Sequence, residues 1–304
     1  MANLIQKSDS PKDVLRKKQW SKYVSKGISL SLMYFNADSK LFKSYKNSTY
    51  CAETLLTNEV GKIHTTYCKN RWCLTCNRIK TARLINEYLP QLETLFNPVF
   101  VTLTLPTIEG EELPERIVEM EKTWRAIYNS TKKVKYNRTH DIFRGIRKAE
   151  CTIRPNGHYH YHFHFIIDGW AEGEWLIGQW LRRFPSADRK AQDIRFANEF
   201  AFRELFKYAF KAEVKSGSKT NAKRYDLVFN ALRGKRTYQA FGGIKAVEED
   251  FDEDDLTGAV VLEGMANRIF KWCTDDWYDK ATGEGLIGLA IPDKVKNMVD
   301  YPKG

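Results

Sequence analysis

The sequence predicts an α+β fold centred on an antiparallel sheet, and three observations carry that expectation. Two β-rich runs, "FRGIRKAECTIR" (143–154) and "HYHYHFHFII" (158–167), are separated only by Pro155, Asn156 and Gly157, so they form a hairpin. A third β-rich run, "NPVFVTLTLP" (97–106), is bounded by prolines, and helical spacing lies between it and the hairpin. A cysteine cluster stands ahead of all three, which sets a separate module before the sheet.

Residues 1–45 form a basic N-terminal segment. Its start, "MANLIQKSDSPKDVLRKKQW", has no apolar signal core, and no stretch reaches the ~18 apolar residues of a membrane span. The expectation is therefore a cytoplasmic protein. With 304 residues, 42% hydrophobic, the chain can bury a sizeable core, and its net charge of +11 favours a polyanionic partner, most simply nucleic acid. In the reducing cytosol six cysteines stay thiols, and clustering then points to metal.

Four of them follow a C-x16-C-x4-C-x2-C spacing, Cys51, Cys68, Cys73 and Cys76, within a module and helix spanning 46–96. Tetrahedral zinc takes four thiolates, and a C-x2-C knuckle presents two sulfurs to one ion. His64 is the alternative to Cys51 as the outlying ligand. Lys69, Arg71, Arg78, Lys80 and Arg83 surround the knuckle, so the zinc is either purely structural or also sets a phosphate-contacting surface. From Cys76 to Phe96 the spacing of Ile79, Leu84, Ile85, Tyr88, Leu92 and Leu95 predicts a helix interrupted near Pro90. After the strand at 97–106, "EELPERIVEMEKTWRAIY" (111–128) returns to helical spacing.

The run at 158–167 raises the chemistry. Successive strand side chains point to opposite faces, so His158, His160, His162 and His164, four of the six histidines, share one face. Tyr159, Tyr161, Phe163 and Phe165 share the other and bury themselves against a core, which leaves the histidine face open or lining a cleft. Aligned imidazoles suit a divalent metal or a proton relay, or are a surface accident. The turn decides what joins them. Pro155 fixes φ for the first central position of a type I turn, Asn156 tolerates the second, and Gly157 accepts the left-handed conformation that closes a three-residue loop. Arg154 then faces His158, Thr152 faces His160, Glu150 faces His162 and Lys148 faces His164. A two-residue turn would move Glu150 to the other face.

Downstream, "ANEFAFRELFKYAFKAE" (197–213) reads as a helix with a Phe202, Phe206, Phe210 packing stripe. Glu204 and Tyr208, four residues apart, share another face, flanked by Lys207 and Lys211. "EEDFDEDD" (248–255) is read as a solvated loop at a boundary, and residues 248–304 as this acidic linker followed by a C-terminal helical segment in which "RIFKWCTDDWYDK" is a helix with core aromatics.

The ordered set "FVTLTLP", "YHFHFII" and "ELFKYAFK", behind the "CKNRWCLTC" knuckle, resembles the plasmid rolling-circle replication initiators of the HUH endonuclease superfamily. The resemblance runs from about Cys51 through "ALRGKRTYQAFGG" (231–243). It implies an HUH endonuclease fold over 97–247, with His162 and His164 as the histidine–hydrophobe–histidine pair that binds Mg or Mn. It also implies Tyr208 as the nucleophile on a DNA phosphodiester, with Glu204 a turn earlier, as in the branch with one catalytic tyrosine. Glu150 and His160 stay open as the third metal ligand. Tyr161 and Leu74 stand where that family often has proline, and His158 and His160 lengthen the histidine cluster.

The activity so implied is site- and strand-specific nicking of plasmid double-strand origin DNA at a single-stranded or hairpin site. A 5′-phosphotyrosine forms and a 3′-OH is freed for a host polymerase; strand transfer, or hydrolysis through Glu204, ends the cycle. A phenol is a weak nucleophile at neutral pH, so a metal or a cation such as Lys207 must stabilise the charge that develops. No G-x-x-x-x-G-K-[ST] motif occurs, so a host helicase is expected as a partner. Alternatives are an HUH relaxase or transposase, or a non-enzymatic zinc-dependent DNA-binding regulator.

Overall fold

The computed structural model describes residues 10–132, 143–206, 219–248 and 251–299. Along the chain come helices α1 (Pro11–Phe35) and α2 (Phe42–Thr49), strands β1 (Thr54–Thr57) and β2 (Ile63–Thr65), helix α3 (Leu74–Leu92), strand β3 (Pro98–Thr104), helix α4 (Leu113–Ser130), and strands β4 (Gly145–Ile153) and β5 (Tyr159–Asp168). Then follow α5 (Trp170–Arg183), β6 (Asp193–Phe196), α6 (Glu199–Phe206), α7 (Lys219–Ala231), β7 (Tyr238–Phe241), β8 (Ile269–Cys273), β9 (Asp276–Asp279) and α8 (Asp293–Lys296). The chain divides into two compact units, Met1–Arg83 with Ala212–Asp226 and Asp250–Gly304, and Leu84–Lys211 with Leu227–Glu249. The architecture is α+β, as expected, and no described helix is long and apolar enough to cross a membrane.

The second unit holds a five-stranded antiparallel sheet in the order β6-β3-β5-β4-β7, with the histidine strand in the middle. Its aromatic face packs Tyr161, Phe163 and Phe165 with Val101 and Leu103 of β3 against Ile117, Met120 and Trp124 of α4 and Leu176 and Trp180 of α5. On the opposite face Phe100, Ile146 and Ile166 lie under Phe202, Leu205 and Phe206 of α6 and Leu84 and Leu92 of α3. The histidine face is thus covered with apolar groups at its Ile166 end and turns polar toward the hairpin. Asn198 caps α6 by accepting from the Ala201 N–H (3.1 Å). Phe202 and Phe206 are buried as the stripe demanded; Phe210 lies outside the described residues.

The β4–β5 hairpin has the register that the turn chemistry required. Glu150 pairs with His162, Lys148 with His164 and Thr152 with His160, while Gly157 sits at φ +90° and its N–H donates to the Arg154 carbonyl (2.8 Å). Helix α3 does not break at Pro90; the proline falls in its final turn and the helix runs on to Leu92.

The first unit is built on α1, whose start is fixed by a Ser10–Asp13 capping box, and on a four-stranded antiparallel sheet in the order β2-β1-β8-β9. Here the sequence reading needs two corrections. The run "RIFKWCTDDWYDK" is not a helix but the β8–β9 hairpin, with Trp272 opposite Trp277 across a Thr274–Asp275 turn. Burial alternates along β8, so Phe270, Trp272 and Trp277 fill the core with Leu55 and Ile63 while Ile269 and Lys271 face out; the period is two, not 3.6. The acidic run is more than a solvated loop. Asp254 is 5% exposed, accepts from the Tyr67 hydroxyl and stands 3.9 Å from the Lys18 Nζ, while Asp252 and Asp255 pair with Lys62 at 3.0 and 2.8 Å.

Candidate metal centres

In the first unit, the loop after α2 carries Cys51, the loop after β2 carries Cys68, and the entry to α3 carries Cys73 and Cys76. Their sulfurs meet: Cys51 to Cys76 is 3.5 Å, and Cys51 to Cys73 and Cys68 to Cys76 are 3.6 Å. Zinc–sulfur bonds of about 2.3 Å at tetrahedral angles put neighbouring sulfurs about 3.8 Å apart, so the donor set fits a tetrahedral cation. The N–H groups of Lys69 and Cys68 point at Cys76 Sγ (3.2 Å) and Cys51 Sγ (3.4 Å), as hydrogen bonds to thiolates do. Lys69 reaches this geometry at φ +58°. The clustered thiols bind their protons unequally: hydrogen bonds from its neighbours depress Cys73, while Cys51 is pushed up. Four sulfurs this close need a cation to ionise together.

His64 does not replace Cys51. Its Nδ1 faces Asp254 at 3.6 Å, in a separate His64, Asp252, Asp254 group whose carboxylates already meet Lys18 and Lys62. A group missed by sequence reading is Lys22, 1% exposed, whose ammonium donates to the carbonyls of Thr49 (2.9 Å) and Cys51 (2.7 Å) and to Glu53 (2.6 Å), bracing the Cys51 loop. Of the basic groups around the knuckle, Lys69 is exposed and pairs with Glu253 (3.3 Å), as does Arg83 (3.5 Å). Arg78 is engaged within the unit, donating to the Lys17 carbonyl (2.8 Å) and Ser21 Oγ (3.0 Å). Arg71 accepts from the Asn77 side chain through its carbonyl (2.5 Å).

In the second unit, Glu150, His162 and His164 bring one donor atom each to within 4.8 Å of one another. Glu150 and His162 are 3% and 7% exposed. His162 Nδ1 lies 3.1 Å from the His160 carbonyl, so it carries the proton and Nε2 keeps its lone pair, the arrangement by which a metal-binding imidazole is oriented. His164 Nδ1 meets Thr102 Oγ1 (3.1 Å), and its Nε2 faces Glu150 Oε2 at 3.9 Å. Burial holds His162 below the ordinary imidazole range, so it is neutral at neutral pH. The donor set therefore fits a divalent cation on an observation independent of any resemblance.

His160 is differently placed. Arg154 donates to its Nδ1 (3.0 Å), so Nε2 carries the proton and donates to Thr104 Oγ1; both nitrogens are engaged. Burial and the neighbouring His162 and Arg154 lower its pKa to about 4. His158 leaves the row to pair with Glu109 (2.7 Å).

Two further groups border the centre. Lys148, fully buried, donates to Glu150 at 2.7 Å; its place opposite His164 was legible, its pairing was not. Tyr238 of β7 stands opposite Lys148, and burial together with the charge of Glu150 pushes its phenol up, so it keeps its proton. Glu204 lies on α6, where its carbonyl accepts from Lys148 (3.3 Å), and it borders a groove with Arg195, Phe200 and Arg203. Tyr208, Lys207 and Lys211 lie outside the described residues.

A family model described as a replication protein matches residues 61–169. That stretch takes in Cys68, Cys73 and Cys76, strand β3, and the hairpin with Glu150, His162 and His164, and it ends before Glu204. No curated protein and no solved structure matches the chain.

Proposed function

We propose that the chain is a plasmid rolling-circle replication initiator of the HUH type, which nicks one strand of origin DNA and holds the new 5′ end as a phosphotyrosine. The observation that carries this reading is the Glu150, His162, His164 donor set, gathered on one sheet face inside the stretch that is similar to replication proteins. Glu150, His162 and His164 would hold Mg2+ or Mn2+, and an ion there would supply Lewis-acid stabilisation of the charge that develops on the scissile phosphate.

The chain's own groups do the rest. The Tyr208 phenol gives up its proton to solvent, its oxygen attacks phosphorus and forms the tyrosine–phosphorus bond, and the bond from phosphorus to the 3′ oxygen breaks, that oxygen taking a proton from solvent to leave as the 3′-OH. Lys207 and Lys211, neighbours of Tyr208 in the sequence, supply positive charge for the reaction. Glu204, four residues before Tyr208 in the sequence, later takes a proton from the water that hydrolyses the phosphotyrosine. The freed 3′-OH serves a host polymerase, with strand separation by a host helicase. The four cysteines hold a structural zinc, and the exposed Lys69, with Arg71, meets the DNA backbone.

Tyr208→Phe is expected to keep fold and DNA affinity, because only a hydroxyl is lost, while the covalent 5′ adduct disappears. Denaturing gels of origin DNA incubated with the protein and Mn2+ read the adduct; its persistence in the Phe variant would remove Tyr208 as the nucleophile.

The net charge of +11 also predicts that duplex affinity falls with salt, at a log–log slope of about −0.9 per phosphate neutralised. A titration over a range of salt that came out nearly flat would count against a phosphate footprint.

A further inference from the structure

The ammonium of Lys148 is an unexpected occupant of a cation site. It is 0% exposed, lies 2.7 Å from Glu150 Oε2 and 3.3 Å from the Glu204 carbonyl oxygen, and stands in the strand row between Tyr238 and His164. The donor set contains one carboxylate, Glu150, and the Lys148 ammonium pairs directly with it. A divalent ion entering the free protein thus meets a positive charge on the very carboxylate it must share. In a buried setting that repulsion is poorly screened.

We propose that Lys148 keeps this centre weak for divalent cations in the free protein, so that the ion binds tightly only together with the negative phosphate of the DNA strand. Metal and substrate then load as a unit, and the ion is not retained between turnovers. Lys148 needs no contact with DNA for this; it acts through Glu150. The inference rests on reading Glu150, His162 and His164 as the metal centre.

The test is Mn2+ binding to zinc-loaded full-length protein without DNA, followed by the electron paramagnetic resonance of free Mn2+. Lys148→Met, which keeps the bulk and removes the charge, is expected to bind Mn2+ roughly tenfold tighter or more than the native protein. Lys148→Arg, which keeps the charge, should bind as the native protein does. In the native protein, single-stranded origin DNA should tighten Mn2+ binding by a similar factor. Equal or weaker Mn2+ binding by Lys148→Met overturns the inference. Should that variant fold poorly, Lys148→Gln removes the charge yet still offers a donor to the Glu204 carbonyl, and the same outcomes apply. His162→Ala separates the two levels. If it binds Mn2+ like the native protein, the metal centre itself is misassigned; if it loses Mn2+ while the neutral Lys148 variants match the native protein, only the role of Lys148 falls.

Discussion

Glu150→Ala is expected to cost the protein both its divalent-metal binding and a large part of its stability. The carboxylate is the only acidic member of the donor set, and its loss leaves the Lys148 ammonium buried without that partner. Breaking a buried pair from one side costs on the order of 3–5 kcal/mol, because the remaining charge stays desolvated. Nicking should fall with metal binding, whereas DNA affinity, carried by surface charge, should hold at temperatures where the variant stays folded. The double variant Lys148→Met, Glu150→Ala should regain most of the lost stability and none of the metal binding, since both charges are then gone. Denaturant unfolding and Mn2+ titration of the three proteins check this. His160→Ala is the contrast: its nitrogens bond to Arg154 and Thr104, so its removal should leave Mn2+ affinity nearly unchanged. If His160→Ala weakens Mn2+ binding more than Glu150→Ala does, the third ligand is His160.

Cys73→Ser is expected to remove zinc and, with it, the folding of the first unit. Cys73 is 0% exposed and its sulfur packs directly on Cys51, so a serine there puts a poor zinc ligand at the most buried of the four positions. Structural zinc supplies binding energy that is folding energy, about 10–16 kcal/mol in small zinc-dependent peptides, which is as large as the whole stability of a typical domain. Elemental analysis should find a single zinc ion per native chain and none in the variant, and limited proteolysis should cut the variant within its first 83 residues. A native protein purified without chelator that holds no zinc would overturn the assignment.

The features legible in the sequence are those set by short-range rules. The alternation of histidine with aromatic residues fixes which side chains share a face, and Pro155-Asn156-Gly157 fixes the register that brings Glu150 to His162; both are local and survive folding unchanged. The cysteine spacing was legible for the same reason. What escaped depends on partners far along the chain. The Trp272–Trp277 hairpin looked helical because aromatic residues at mixed spacing fit either period, and only the pairing of β8 with β1 settles it. Asp254 looked solvated because nothing near it in sequence announces Tyr67. Lys148 was assigned to the correct face, yet a lysine on a strand reads as a surface residue until α6 is laid over it.

The pairing of β1 with β8 also sets an order of events during synthesis. Strand β1 is complete at Thr57 and its partner begins at Ile269, so the ribosome adds about two hundred residues between them, roughly 10–40 s at 5–20 residues per second. The residues of the histidine-bearing sheet, from Pro98 to Phe241, all emerge inside that interval. The second unit can therefore finish folding while β1 still waits with one edge unpaired, and the cysteine cluster, whose loops border β1 and β2, spends that time in a half-built unit. For a nascent chain in a cell short of zinc, this interval is when its thiols are most open to oxidation and to competing metals.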